Sequence, residues 1–276
     1  MQRGSKQNGK ALSNTFVRRV HAVLQAALKQ AVKERLIPYN PCENCRIPPK
    51  DKKEMTILPP EKIGRYLQEA EKYGVLPMFY LELSSGLRRG ELLALQWEDL
   101  NVKERILTVN KQVTRMEGEL DVTEPKTKNS VRKVALSQQA VDLLVQEHEQ
   151  HPDNPILFPS PRTGGYWSPD AVSRINQKLL KSAGIEEHVR FHDLRHTFAT
   201  MAISSGVDVK TLSSMLGHFS VGFTLDTYTH ITNDMQRGAA EKIGGFMESV
   251  TAANTPEPPD PPEQNQCKVI PFEKVG

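Results

Sequence analysis

The sequence is short of several things, and each shortage closes off a class of protein. Only three of its 276 residues are cysteine: Cys42, Cys45 and Cys267. An odd, sparse count supplies no disulfide framework and points to a reducing compartment. No apolar run reaches the roughly eighteen residues of a transmembrane helix, so no membrane partner is expected. The N-terminal MQRGSKQNGKALSNTF is basic but has no apolar stretch behind it, which argues against secretion. The expected location is the cytoplasm of a bacterium. There is no internal repeat.

Net charge is also small, only +3, but it is unevenly spread. Residues 1–53 carry twelve Lys/Arg against three Asp/Glu, or +9, which leaves −6 for the remainder. A basic arm on a near-neutral body suits nucleic acid, because Lys and Arg displace phosphate counterions. A merely solvated N-terminus reads the same way from charge alone.

Apolar residues make up 38% of the chain, enough for a core. Phe16, Val20, Val23, Leu24, Ala27, Leu28, Ala31 and Val32 recur at helical spacing, which predicts an amphipathic helix over 13–36 ended by IPYNP. Such a helix cannot bury its apolar face alone. CRIPPKDKKEMTILPP (45–60) reads as a connector. Helices are predicted from PPEKIGRYL to Gly74, in LPMFYLELSSG and in RGELLALQW. RILTVNKQVTR and SVRKVALS read as strands with EPKTKN as the turn between them. Helices follow over 137–150, 169–183, 192–205, 208–217, 220–229 and 232–249. TPEPPDPPEQNQ is too polar and Pro-rich to pack. The expected fold class is mainly α with one small antiparallel β-sheet (α+β). The expected domains are a helical DNA-binding remnant with linker (1–53), a catalytic domain (54–249) and a disordered tail (250–276).

HDLRH (192–196) is a near miss for a zinc-binding helix. His192 and His196 lie about 40° apart on one helical face, the spacing of two metal ligands. Asp193 is one carbon shorter than the glutamate such sites use as base. No acidic third ligand follows nearby, and Arg195 shares the face, setting a cation beside a cation. Leu194, Phe198, Met201 and Ala202 form the opposite, core-facing stripe. Taken alone, the other side reads as a solvated polar face. Cys42-x-x-Cys45 has no second pair and no histidine pair at finger spacing, so no metal is expected there either.

Other motifs are weak singly. SSGLRRGELLALQW (84–97) sets Arg88 at a helix entry with Glu91 three residues on, in reach of an arginine. EPKTKN puts Lys126 and Lys128 at a turn. SSMLGHFSVGFTLDTYTHI (213–231) has His218 after a Leu-Gly helix stop and Tyr228 ten residues later.

Their order is the stronger signal. GLRRGELLAL, HDLRHTFAT and LGHFSVGFTLDTYTH resemble the first arginine box, the His-x-x-Arg box and the Leu-Gly-His…Tyr box of the tyrosine recombinase (phage integrase) family, over about residues 13–249. The resemblance is to integrases of temperate phages and integrative elements. It implies that family's catalytic-domain fold and a site-specific DNA recombinase working through a 3′-phosphotyrosyl bond. Tyr228 would be the nucleophile. Arg88 and Arg195 would fork the phosphate oxygens and His218 would donate to one. His192 would take the phenolic proton, and Lys126, with Lys128 as second choice, would protonate the leaving 5′-oxygen. Glu91 and Asp193 would orient the arginines; His196, His230 and Trp97 would pack around them. No cofactor or metal is expected, because the arginines supply the positive charge. Expected partners are double-stranded DNA at attachment sites, a homotetramer on that DNA, an excisionase and a host DNA-bending protein. Only the last helix or two of a core-binding domain is recognised within 1–45. That leaves two alternatives open: a non-recombining DNA-binding fragment, and a relaxer like type IB topoisomerases.

Overall fold

A computed structural model describes residues 12–50, 56–116, 118–124, 131–217, 222 and 240–249. The chain divides into two compact units, Met1–Thr56 and Ile57–Gly276.

Among its described residues the first unit contains one helix, α1 (Asn14–Lys33), started by the Ser13 hydroxyl, which accepts from Phe16 N–H at 3.2 Å. It stops five residues before the first proline of IPYNP. Arg35 takes a left-handed conformation (φ 60°), and Leu36 N–H returns to the Ala31 carbonyl at 2.9 Å. The terminator is thus a left-handed cap on a non-glycine residue. The predicted apolar stripe forms, but Phe16, Val20, Val23 and Leu24 are all exposed.

The second unit holds the core. In order it contains α2 (Pro60–Lys72), α3 (Leu76–Ser85), α4 (Arg89–Ala94) and a 3-10 turn (Trp97–Asp99). The strands β1 (Leu100–Asn101), β2 (Ile106–Val109), β3 (Gln112–Met116), β4 (Glu119–Thr123) and β5 (Arg132–Ala135) follow. The remaining helices are α5 (Gln138–Glu149), α6 (Pro169–Ser182), α7 (Phe191–Ser204) and α8 (Val209–Leu216). Residues 240–249 are also helical.

The strands differ from the single sheet expected. RILTVNKQVTR breaks at Asn110 and Lys111 into β2 and β3, which join different sheets. β1, β2 and β5 form an antiparallel sheet in which Val109 faces Arg132, while β3 and β4 make a separate hairpin. β4 (ELDVT) was not among the expected strands; Leu120 and Val122 alternate with polar residues, but the strand is almost wholly exposed. The segment 125–130 therefore links β4 to β5.

α3 runs through the core with Met78, Phe79, Leu81 and Leu83 buried. The Phe79 ring meets Tyr66 of α2 and Phe191 of α7 edge-on, each at 5.8 Å between centroids. Each such side chain contributes about 1.5–3 kcal/mol by leaving water. Tyr66 carries its hydroxyl inward only because Asn176 accepts from it at 2.7 Å. Leu58 N–H donates to the buried Thr197 hydroxyl at 2.9 Å, which ties the start of this unit to α7. This packing fixes the end of α3, the start of α4, the strand β5 and the helices α7 and α8 around one place.

Candidate active site

That place starts where α3 ends. Gly86 caps α3 in the left-handed region (φ 60°), and a Cβ there would stand 2.3 Å from Phe198 Cδ1. Only glycine allows both the turn and the close approach. The turn sets Arg88 at the start of α4. Arg88 N–H donates to Glu91 Oε2 at 2.9 Å and its Nη1 to Glu91 Oε1 at 2.8 Å, the pairing the spacing predicted. Glu91 is buried, so one arginine on the surface side does not complete it. Arg132 of β5 supplies a second fork, Nη2 to Oε2 at 2.8 Å and Nη1 to Oε1 at 3.1 Å. Burial pushes the Glu91 carboxyl up. The hydrogen bonds and charge of Arg132, with those of Arg88, outweigh it and hold the group below the usual carboxylate range.

Arg195 corrects the reading of α7 as a helix with a solvated polar face. Its residue exposure is 3%, and Asp193 and Thr197 are buried beside it. The buried apolar residues of α7 are Phe191, Leu194, Phe198, Ala199 and Ile203, while Met201 and Ala202 are only half-buried. α7 is enclosed on most sides, and a guanidinium goes inside because backbone carbonyls wait for it. Nη1 donates to Gly86 O at 2.6 Å and Nη2 to Leu216 O at 2.7 Å. Burial and the neighbouring Arg88 lower its pKa to about 10, so it remains charged at neutral pH.

The last turn of α8 draws the arginines together. Arg132 Nε donates to Met215 O at 2.6 Å, Arg195 Nη2 to Leu216 O and Arg88 Nη2 to Gly217 O at 2.9 Å. Three consecutive carbonyls thus accept from three arginines. These are the groups a helix C-terminus leaves unpaired, at the negative end of its dipole. Gly217 closes α8 in the left-handed region (φ 62°), with Arg132 so near that a Cβ would lie 3.1 Å from its Cδ. A concentrated positive charge is therefore built on the chain just ahead of His218.

The histidines differ from each other. His192 is exposed and His196 half-buried; their rings meet edge-on at 5.0 Å. Partial burial, then the charge of Arg195, lowers the His192 pKa. Burial, then His192, brings that of His196 to about 4. Both are neutral imidazoles at pH 7. Asp193 does not hold Arg88 or Arg195, as the sequence reading had it. It accepts from Arg190 N–H at 2.8 Å and from the Arg190 guanidinium at 2.9 and 2.7 Å. Its position three residues into α7 makes it a cap for the helix start, so it secures the helix rather than the arginines. Trp97 stacks on His148 at 3.9 Å, a packing role.

The structure thus brings Arg88, Glu91, His192 and Arg195 together. Lys126, Lys128, His218, Tyr228, His230, Cys267, the predicted helix 220–229 apart from residue 222, and the tail 250–276 lie outside the described residues. Two residues of the site were missed. Arg132 shares the inward face of β5 with Val134, and an arginine in phase with apolar strand positions was the available signal. Glu82 sits in the apolar helix LPMFYLELSS, wholly buried, with neither carboxylate oxygen hydrogen-bonded among the described residues. Burial raises its pKa well above the usual carboxylate value, against the pull of Arg195.

Comparison with known proteins bears on the family and the fold. Residues 57–235 match the phage integrase family. The chain is 31% identical over 249 residues to the ICEBs1 integrase of Bacillus subtilis, covering 86% of this chain and 67% of that one. It is 28% identical over 269 residues to a XerC-like tyrosine recombinase of Caldanaerobacter subterraneus, covering 87% and 68%. Among solved structures, the Tn1549 transposon integrase in complex with circular intermediate DNA shares the fold with a TM-score of 0.73 at 22% identity, over 84% of this chain and 80% of that one. A lambda integrase tetramer bound to a Holliday junction matches at 0.55 and 22%, over 73% and 57%.

Proposed function

The chain belongs to the phage integrase family of tyrosine recombinases, and from that premise we propose that it is a site-specific recombinase that cuts and rejoins DNA through Tyr228. The observation that carries the proposal is the convergence of Arg88, Arg132 and Arg195 on the Met215–Gly217 carbonyls, with Glu91 locking two of them. A phosphodiester is anionic and gains charge at its equatorial oxygens during attack, and fixed guanidinium groups offset that charge without reorganising.

Attack by the Tyr228 oxygen forms the phosphotyrosyl bond and releases the 5′-oxygen of the next nucleotide. Arg88, partly exposed, and Arg195 behind it hold the phosphate oxygens, and His218 donates to one of them. His192 accepts the phenolic proton; its lowered pKa supports this, since only the neutral ring has a lone pair to offer. Lys126 gives a proton to the leaving oxygen. The second strand end then attacks the phosphotyrosine, so the bond energy is kept and no nucleotide cofactor is consumed. Arg132 and Glu91 are positioning residues.

The substrate is duplex DNA at paired attachment sites and the working form a tetramer, as for the lambda integrase bound to a Holliday junction. An excisionase and a host bending protein would set direction. The test is strand exchange between two DNA fragments carrying the repeated ends of the element that encodes the chain. Recombinant products with this chain support the proposal. Plasmid relaxation without any need for those sites would point instead to a topoisomerase-like relaxer, and binding without exchange to a non-recombining fragment.

A further inference from the structure

The first unit carries a donor cluster that strand exchange does not use. Among residues 12–50 only Asn40 and Cys42 are buried, and α1 buries no residue at all. A helix with an uncovered face gains little from apolar burial. Small units without a core are usually held by a disulfide, a metal or a partner.

The turn after α1 is nevertheless tied back onto it. Asn40 Nδ2 donates to Gln25 O at 3.2 Å, and Asn40 Oδ1 accepts from Cys42 N–H at 2.9 Å. Glu43 N–H turns back to Asn40 O at 3.2 Å and Cys45 N–H to Cys42 O at 3.3 Å. Arg18 Nη1 reaches the Pro48 carbonyl at 2.8 Å. These bonds bring both cysteines beside His21 of α1. One donor atom from each of His21, Cys42 and Cys45 lies within 4.8 Å of the other two, the only such group of three His, Cys, Asp or Glu among the described residues. His21 Nε2 is also 3.3 Å from the Cys42 carbonyl oxygen, which holds the ring against the turn.

Around a tetrahedral zinc, with bonds of about 2.0–2.3 Å, donors stand about 3.3–3.8 Å apart, so closure here asks for an ångström or so. Two thiolates and one imidazole form a donor set that zinc favours over magnesium or calcium. The third donor, His21, lies upstream of the cysteine pair on the preceding helix, not downstream as in a zinc finger.

We propose that His21, Cys42 and Cys45 bind a zinc-class divalent ion, with water in the fourth position, and that this ion staples the 40–45 turn to α1. On binding, each thiol loses its proton to solvent and each sulfur donates an electron pair to the metal; nothing is oxidised. The ion's role is structural, in the basic segment of the chain rather than in phosphoryl transfer, and it does not depend on the recombinase reading.

The test is titration of the reduced, chelator-stripped full-length chain with cobalt(II), which reports thiolate ligation by its charge-transfer band and tetrahedral geometry by its visible absorption. The expected result is saturation at about one ion per chain, displaced by zinc. His21→Ala and Cys45→Ser should each weaken binding at least about tenfold, by analogy with the cost of disturbing a metal's ligand support. Cys267→Ser should leave the spectrum unchanged. Bound metal should also slow proteolysis between residues 34 and 50. A wild-type chain that develops no cobalt–thiolate band overturns the proposal. So does a band that survives the Cys42→Ser, Cys45→Ser double variant. If cleavage at 34–50 is the same with and without metal, the staple is wrong.

Discussion

Glu82 and Glu91 are two buried carboxylates in one neighbourhood, and they titrate in opposite directions. Glu91 has two guanidinium partners and is held ionised; its stabilisation is present above its unfolded pKa of about 4.3 and is lost as pH falls through its lowered folded value. Glu82 has no hydrogen-bond partner among the described residues, and burial raises its pKa, favouring the protonated form. Its contribution is complete below about pH 4.3 and is lost as pH rises towards its raised folded value. Glu82→Gln, which cannot ionise, should therefore match the wild type in urea midpoint near pH 4 and exceed it progressively towards pH 8. A gap that shrinks with rising pH would contradict the assignment. Glu91→Gln removes the charge between Arg88 and Arg132 and should cost about 3–5 kcal/mol at pH 7, because a buried guanidinium loses its counter-charge. Unfolding in urea measures it. His192 gives a third titration: with its pKa lowered, the acid limb of strand cleavage should fall below about pH 6.5, and His192→Gln should flatten it. Arg88, Glu91 and Arg195 could be read from sequence because motif spacing carried them. Arg132 carried only a slight signal, its phase with Val134 on β5, because an isolated arginine in VRKVAL looks like any solvated strand residue until its partner across the fold is known. Asp193 was read correctly as an ion-pair residue but given the wrong partner: from HDLRH alone the arginine on its own helix is the obvious one, whereas the helix start supplies Arg190.

Helix ends, more than helix bodies, make the site. Gly86 caps α3, Arg88 caps α4, Arg190 caps α7 and Gly217 caps α8, and Arg88, Glu91, His192 and the carbonyls that receive the arginines lie at or within a turn of those ends. Gly86 and Gly74 offer a controlled comparison. Both are left-handed, φ 60° and 68°, but a Cβ on Gly74 meets nothing within 4 Å while one on Gly86 overlaps Phe198. Gly74→Ala should cost about 1–2 kcal/mol, the backbone penalty alone. Gly86→Ala should cost that plus about 1–3 kcal/mol of overpacking. It should also abolish cleavage, because the Gly86 carbonyl holds Arg195. Equal losses for the two variants would contradict this account. The helices were legible because α2, α5 and α6 carry apolar residues at helical spacing and end where glycine or a turn intervenes. The end of α1 was misplaced, since proline was taken as the stop while Arg35 adopts the left-handed turn earlier. β4 went unread although Leu120 and Val122 alternate with polar residues, because two apolar positions in a five-residue strand make a short signal.

At the scale of the molecule, the chain joins a basic first unit, whose described residues bury only Asn40 and Cys42, to a second unit with a dense core. The helical residues 240–249 expose Ile243, Phe246 and Met247. An exposed apolar set of this kind suits docking on a neighbouring protomer. Deleting residues 231–276 should weaken assembly on DNA, read by sedimentation, more than it lowers the melting temperature of the free chain; unchanged assembly would contradict that role. The central claim is that this arginine-lined site makes Tyr228 a nucleophile toward DNA. It is tested most directly with a nicked suicide substrate carrying the attachment sequence, on which cleavage traps the covalent intermediate. The account predicts a protein–DNA adduct with the wild-type chain that disappears in Tyr228→Phe and falls by about a hundredfold or more in Arg195→Ala. An adduct that survives Tyr228→Phe, or none from the wild type, would contradict it.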